Sequence, residues 1–277
     1  MTKRRTFDRK YVFTELDKLS ASIVVPTQFF IIGGLALISY GLKEATKDID
    51  VVVRRQDSCA LIKSLASIDY HILEDCLVSR SYGKMEILKI MENNDGFKWD
   101  IFCRAICNRL IFSDNMVSRA IKFYSTGKMA LSVASKEDVF LFKAITERDA
   151  DLDDMRLLAK SGLNWQIIET ECRYQSNTSR RLWENALLQS LIDLREKHEI
   201  RSPIEKELKK ITEEKLTEDF IVESITGGFT TIRSISQAKN LPGPFVRACS
   251  RKMEERGLLE FDKTSRPYKL SLIKSEF

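Results

Sequence analysis

The segment Phe29–Val53 constrains this chain more than any other part of its sequence. Phe29-Phe30-Ile31-Ile32 is an unbroken apolar run that stops at Gly33-Gly34, and Asp48-Ile49-Asp50-Val51-Val52-Val53 is a β-branched run with two acids at its start. Short apolar runs ended by glycine read as strands buried on both faces. Leu35 to Leu42, closed near Gly41, reads as a short helix between them. In a strand the side chains alternate, so Asp48 and Asp50 point to one face while Ile49, Val51 and Val53 point to the other and bury it.

The remaining elements fit a small α+β domain. Tyr11 to Leu19 and Cys59 to Ser67 carry helical spacing, and Tyr70 to Val78 is weakly strand-like. Met85 to Ile90 and Phe97 to Cys103 are strands around the turn Asn93-Asn94-Asp95-Gly96, and Lys122 to Val133 is a strand pair around Ser125-Thr126-Gly127. Ser135-Lys136-Glu137-Asp138 is a helix-opening cap, and from there to about Lys215 the pattern is helical. Within it Ser202-Pro203-Ile204-Glu205 starts a further helix. Beyond it Phe220 to Ile225, Ile232 to Ala238 and Phe245 to Arg256 are helices, with Leu241-Pro-Gly-Pro244 as a tight turn. Leu258 to Phe261 and Tyr268 to Leu272 are strands. The expected organisation is a mixed-sheet core over 1–134, a helical region over 135–215 and a helix-helix-turn-helix-hairpin module over 216–277.

Composition removes several alternatives. No run approaches the roughly 18 apolar residues of a membrane helix, and the basic N-terminus lacks an apolar stretch behind it, so no membrane or secretory signal is expected. Six scattered cysteines without a Cys-x-x-Cys pair read as thiols in a reducing, cytoplasmic setting. With only His71 and His198, a zinc site and Ser-His or Cys-His catalysis are poor fits, which leaves carboxylates to carry metal chemistry. The net charge of +5 permits a nucleic-acid partner without demanding one.

Phosphoryl and nucleotidyl transfer need the phosphate charge neutralised by divalent ions, which closely placed Asp residues hold. Asp48 and Asp50 suit a shared Mg²⁺ (or Mn²⁺), and Asp100 in Lys98-Trp-Asp-Ile-Phe102 is the candidate third carboxylate. Gly33-Gly34 precedes the acids by thirteen intervening residues and lets backbone N–H groups approach a triphosphate at a helix start. Alone, Gly-Gly is a turn and Asp-x-Asp a solvated strand end. Their joint order (apolar strand, Gly-Gly, short helix, acidic strand, later strand Asp) carries the chemistry.

This arrangement resembles the nucleotidyltransferase superfamily of DNA polymerase β type, through Ile32-Gly33-Gly34 and Asp48-Ile49-Asp50-Val51. The wording Gly33-Gly-Leu-Ala-Leu-Ile-Ser-Tyr-Gly41 with Ala45-Thr-Lys-Asp-Ile-Asp-Val51 looks like the abortive-infection toxin-type branch. So does Glu137 to Lys143 followed by the Arg-Asp-rich Arg148 to Asp154. The resemblance covers roughly the first 160 residues. It implies NTP as substrate, metal at Asp48, Asp50 and Asp100, and nucleotide contacts from Gly33, Gly34, Thr46, Lys47 and Lys143. Many relatives have Arg where Lys43 or Glu44 stands here, so Lys43, Lys47 or Lys143 is left to make the basic phosphate contact. Without the resemblance, Lys143 is an ordinary solvated helical lysine. Asp149 to Asp154 reads first as acid complementing a helix N-terminus, with contact of Asp151 or Asp154 to substrate or Lys143 as the lesser alternative.

The C-terminal module resembles winged helix-turn-helix domains, with Ile235 to Arg247 as the helix-turn-helix core. That implies a nucleic-acid surface of Arg247, Arg251 and Lys252 on the recognition helix and Lys263 and Arg266 in the wing, although such domains also serve purely as protein-interaction units. Two functions follow from the whole. One is a Mg-dependent, toxin-antitoxin-like enzyme moving NMP from NTP to an RNA or protein acceptor. The other is a nucleotide-sensing, DNA-binding regulator with a non-catalytic transferase fold. All three carboxylates stand, which favours the enzyme.

Overall fold

Strand β1 (Phe7–Asp8) leads into helix α1 (Arg9–Ser22), whose first turn is capped by Asp8, the carboxylate accepting from the Tyr11 N–H at 2.8 Å. The computed structural model describes residues 5–73, 87–103, 105–106, 110–146, 148–179, 181–264 and 266–273. It contains two compact units, Met1–Glu205 and Lys206–Phe277.

In the first unit, β2 (Thr27–Ile32) passes straight into α2 (Gly33–Ser39), followed by β3 (Ala45–Thr46), β4 (Asp48–Val53) and α3 (Arg55–Ala66). Next come β5 (His71–Ile72), β6 (Ile87–Glu92) and β7 (Lys98–Phe102). A short pair, β8 (Ala105–Ile106) and β9 (Leu110–Ile111), precedes α4 (Asp114–Arg119), β10 (Ile121–Thr126) and β11 (Met129–Val133). Seven strands make one mixed sheet in the order β10-β11-β2-β4-β7-β6-β5, with β11–β2 and β4–β7 parallel and the other neighbours antiparallel. Strand β2 lies inside this sheet, and Phe29, Phe30, Ile31 and Ile32 are all buried, as an unbroken apolar run requires.

Four helices complete the unit: α5 (Lys136–Thr146), α6 (Asp149–Lys160), α7 (Trp165–Ser179) and α8 (Trp183–His198). The cap read at Ser135 forms, the Asp138 N–H donating to Ser135 Oγ at 3.2 Å while that hydroxyl donates to the Asp138 carboxylate at 2.7 Å. Arg119, at the end of α4, donates to Asp138 and to Glu171 of α7, each at 2.6 Å. One guanidinium therefore ties the sheet's connecting helix to two helices of the layer. The architecture is α+β.

The second unit contains nearly all of α9 (Glu205–Thr226), then α10 (Ile232–Lys239), α11 (Gly243–Glu255) and the antiparallel pair β12 (Leu259–Asp262) and β13 (Lys269–Leu272). Ile221, Ile235, Val246, Cys249, Met253, Leu259 and Leu270 form its core. Among the described residues no helix is long and apolar enough to cross a membrane.

Several sequence readings move. Helix α2 begins at Gly33 rather than Leu35 and ends before Gly41. The strand read over Met85–Ile90 forms at Ile87–Glu92, and residues 74–86, including most of Tyr70–Val78, lie outside the described residues. Gly243 and Pro244 belong to α11 instead of a turn, because Pro in the first turn lacks only an N–H that has no helical partner there. The helix read from Ser202 starts at Glu205 and continues unbroken to Thr226.

Candidate active site

The centre of the first unit follows from strand register. Ile32, the last residue of β2, is paired with Asp50 of β4. The chain must therefore turn into α2 directly above Asp50. It does so at Gly33 with φ +66, in the left-handed region that glycine enters without cost. A Cβ at Gly33 would lie 1.9 Å from Asp50 Oδ2, and one at Gly34 would lie 2.4 Å from Thr46 Oγ1. The close approach that the two glycines allow is thus made by protein groups, a carboxylate and a hydroxyl. Thr46 is buried and its hydroxyl donates to the Asp48 carbonyl at 2.9 Å, which shapes the entry to β4. Lys47 is exposed beside it.

The parallel pairing of β4 with β7 sets Asp50 opposite Asp100 and Asp48 opposite Lys98. Register partners on adjacent strands share a face, so Asp48, Asp50 and Asp100 lie on one side of the sheet. Asp100 is 3% exposed. Ile49, Val51 and Val53, on the opposite side, are fully buried.

The field on Asp50 is strong. Burial, then the neighbouring Asp48, push the Asp50 carboxyl up to about 7, although Lys143 and Arg148 pull it the other way. Two carboxylates side by side in a poorly solvated place do not both ionise readily. Among the described residues no donor makes a hydrogen bond to Asp50, so a divalent cation is the group that would relieve it. Among the described residues no three His, Cys, Asp or Glu side chains converge as a ready-made metal cage. That is compatible with Mg²⁺, which commonly takes one or two carboxylates and completes its shell with water and substrate phosphate.

Lys143 of α5 is set against these acids from the helical layer. Its ammonium donates to Asp151 at 2.6 Å and lies 3.1 Å from Asp154. Burial opposes its charge, but Asp151 and Asp154 more than offset this and raise its pKa. Asp151 also accepts from Thr146 Oγ1 and from Arg148 Nε, the latter at 2.7 Å, and Lys43 pairs with Asp154. Burial disfavours the Asp151 carboxylate, yet Lys143 and Arg148 hold it below its usual range. Asp151 and Asp154 are both 3% exposed, so they act as buried ion-pair partners rather than as solvated charge at a helix start. The sequence reading preferred a helix-start role for Asp151 and Asp154 over contact with Lys143 and gave Arg148 no role of its own; the signal available was the density of Arg and Asp just after Lys143. Lys143 and Arg148 also line a cleft of about 270 Å³ with Gln189, Asp193 and Lys197 of α8.

The second unit holds the five residues read as a nucleic-acid surface. Arg247, Arg251, Lys263 and Arg266 line one groove of about 870 Å³ between α11 and the β12–β13 hairpin. Lys252 does not line it; its ammonium is 2.8 Å from Glu214 of α9.

A family described as nucleotidyltransferase of unknown function (DUF6036) matches residues 10–187, more than half of the chain. No curated protein matches. Among solved structures, a lincomycin-bound lincosamide antibiotic adenylyltransferase, LnuA, is 16% identical with a TM-score of 0.39, over 56% of this chain and 98% of that one. ANT(2")-Ia in complex with adenylyl-2"-tobramycin is 13% identical with a TM-score of 0.43, over 60% and 97%. The solution structure of the antibiotic-resistance factor ANT(2'')-Ia is 14% identical with a TM-score of 0.44, over 63% and 96%.

Proposed function

From the premise that the chain belongs to this nucleotidyltransferase family, we propose that it moves an NMP group from an NTP to a hydroxyl of an RNA or protein acceptor. Asp48 and Asp50 hold Mg²⁺ (or Mn²⁺), and Asp100 completes the acidic face or accepts the acceptor's proton. Lys143 and Arg148 balance phosphate charge, and Gly33, Gly34, Thr46 and Lys47 border the triphosphate. The observation that carries this reading is the register of β4 and β7. It sets Asp100 beside Asp50, with Asp48 two residues away on the same face. The metal would neutralise the phosphate oxygens and favour the ionised form of the acids.

The toxin-like wording around Gly33-Gly34 and Asp48 supports a macromolecular acceptor and a toxin-antitoxin-like role. The α9–α11 helices and the β12–β13 hairpin, read as a winged helix, support contact with nucleic acid. The test incubates the protein with Mg²⁺, each labelled NTP in turn, total tRNA and cellular proteins. Transfer of label that disappears in Asp48→Ala/Asp50→Ala is the expected result. Absence of transfer and of self-labelling with every NTP, together with tight binding of a DNA site, would instead establish the nucleotide-sensing regulator.

A further inference from the structure

The groove of the second unit has a chemistry that a basic surface alone does not explain. Its rim carries Arg233, Arg247, Arg251 and Arg266, all exposed. Among the described residues none of these four has an acidic partner. The acid on the groove is Glu254, which lies 3.7 Å from Lys263. Its lining also includes Ile232, Pro244, Pro267 and two aromatic rings, Phe261 half-buried against the unit's core and Tyr268 41% exposed. At about 870 Å³ it lies within the usual range, about 300–1,000 Å³, of pockets that enclose a ligand.

We propose that this groove binds single-stranded nucleic acid, with bases stacked on Tyr268 and Phe261 and phosphates held by the arginines. The argument turns on what each form of nucleic acid offers. In a duplex the base faces are covered by neighbouring bases, so a protein meets phosphates and base edges only. Tyr268, exposed among arginines, then has nothing to stack on. A single strand presents both the polyanionic backbone and free base faces, and this combination is what an arginine rim over aromatic rings complements. Charge complementarity excludes a basic partner. The inference rests on the nucleic-acid contact in the proposed function and names its form. It does not depend on the transfer chemistry.

The experiment uses the full chain carrying Asp48→Asn/Asp50→Asn, so that no transfer alters the probes. Fluorescence anisotropy is measured with labelled polyuridine, polydeoxythymidine and a mixed-sequence duplex of equal length. Both single strands are expected to bind more tightly than the duplex. Tyr268→Ala is expected to weaken them about tenfold, Tyr268→Phe to restore binding, and duplex affinity to be unaffected by either. Arg247→Ala/Arg251→Ala is expected to weaken single-strand binding and to lower its salt dependence by about one to two counterions. Lys209→Ala, exposed on α9 and outside the groove, is expected to leave binding unchanged. A duplex bound as tightly as the single strands, or a Tyr268→Ala chain that binds them as well as its parent, would overturn the inference while leaving a nucleic-acid surface. Failure to bind any of the three would remove that surface as well, and label transfer would still be decided separately.

Discussion

Asp50 concentrates the physical tension of the site in one side chain. Its carboxyl sits about 7 because burial and Asp48 disfavour its charge. An unfolded chain ionises the same group in the ordinary carboxylate range. Between that range and about 7 the native state holds a proton that the unfolded state has released, so stability contributed by Asp50 is lost as pH rises through this window. Without divalent metal, Asp50→Asn should therefore be more stable than the parent at pH 8 by on the order of 1 kcal/mol or more, and no more stable near pH 4. Melting temperatures of both chains across this span measure it; a variant less stable at pH 8 would refute the assignment of strain. Mg²⁺ at pH 8 should raise the parent's melting temperature more than the Asn variant's, because the variant keeps Asp48 but has lost the second carboxylate of the pair. Gly33 makes the complementary case. Its φ of +66 and the closeness of Asp50 Oδ2 leave no room for a methyl group. Gly33→Ala should cost about 1 kcal/mol or more of stability. It should also lower label transfer about a hundredfold, since Asp50 must turn away from its place. Chemical denaturation and the transfer assay read the two effects separately.

Elements explain both what could be read in advance and what could not. Strands β2, β4 and β7 were legible because each is an apolar or β-branched run whose burial is written in its own residues, and Asp100 followed once β7 was placed beside β4. The roles of Asp151 and Asp154 could be named from the sequence but not preferred. Acids in the first turns of a helix look the same in sequence whether they meet solvent or a buried lysine eight residues back. Only the packing of α5 against α6 distinguishes them. The span from Ala105 to Arg119 escaped for a similar reason: its two-residue strands are shorter than any alternation can reveal, and α4 is only 6 residues long. Yet α4 ends on Arg119, whose two carboxylate partners Asp138 and Glu171 are each 1% exposed in their side chains. Arg119→Ala would leave both acids without this cation, so it should destabilise the first unit by about 3 kcal/mol. A urea midpoint that does not move would show that the bridge contributes no net stability. Asp151→Asn should weaken the hold on Lys143 and reduce transfer, with a smaller loss of stability because Asp154 remains beside the ammonium.

At the scale of the whole molecule, the chemistry divides between the two units along the chain. The carboxylates, Lys143 and Arg148, with Asp151 and Asp154, all lie within Met1–Glu205, whereas the arginine groove lies within Lys206–Phe277 and stands on its own core. The mild net charge of +5 gives little reason to expect the first unit to attract a polyanion by charge alone. A chain ending after Glu205 should therefore keep Mg²⁺-dependent stabilisation by NTP and lose binding to single-stranded oligonucleotides. Transfer to a nucleic-acid acceptor should fall through a raised KM rather than a lowered kcat, because the groove supplies binding that is the same in the ground and transition states. Thermal shift with NTP–Mg²⁺, anisotropy and steady-state transfer on the shortened and full chains distinguish the outcomes. If kcat fell with KM unchanged, the second unit would have to contribute to the reacting geometry, and the division of labour drawn from the two cores would be wrong.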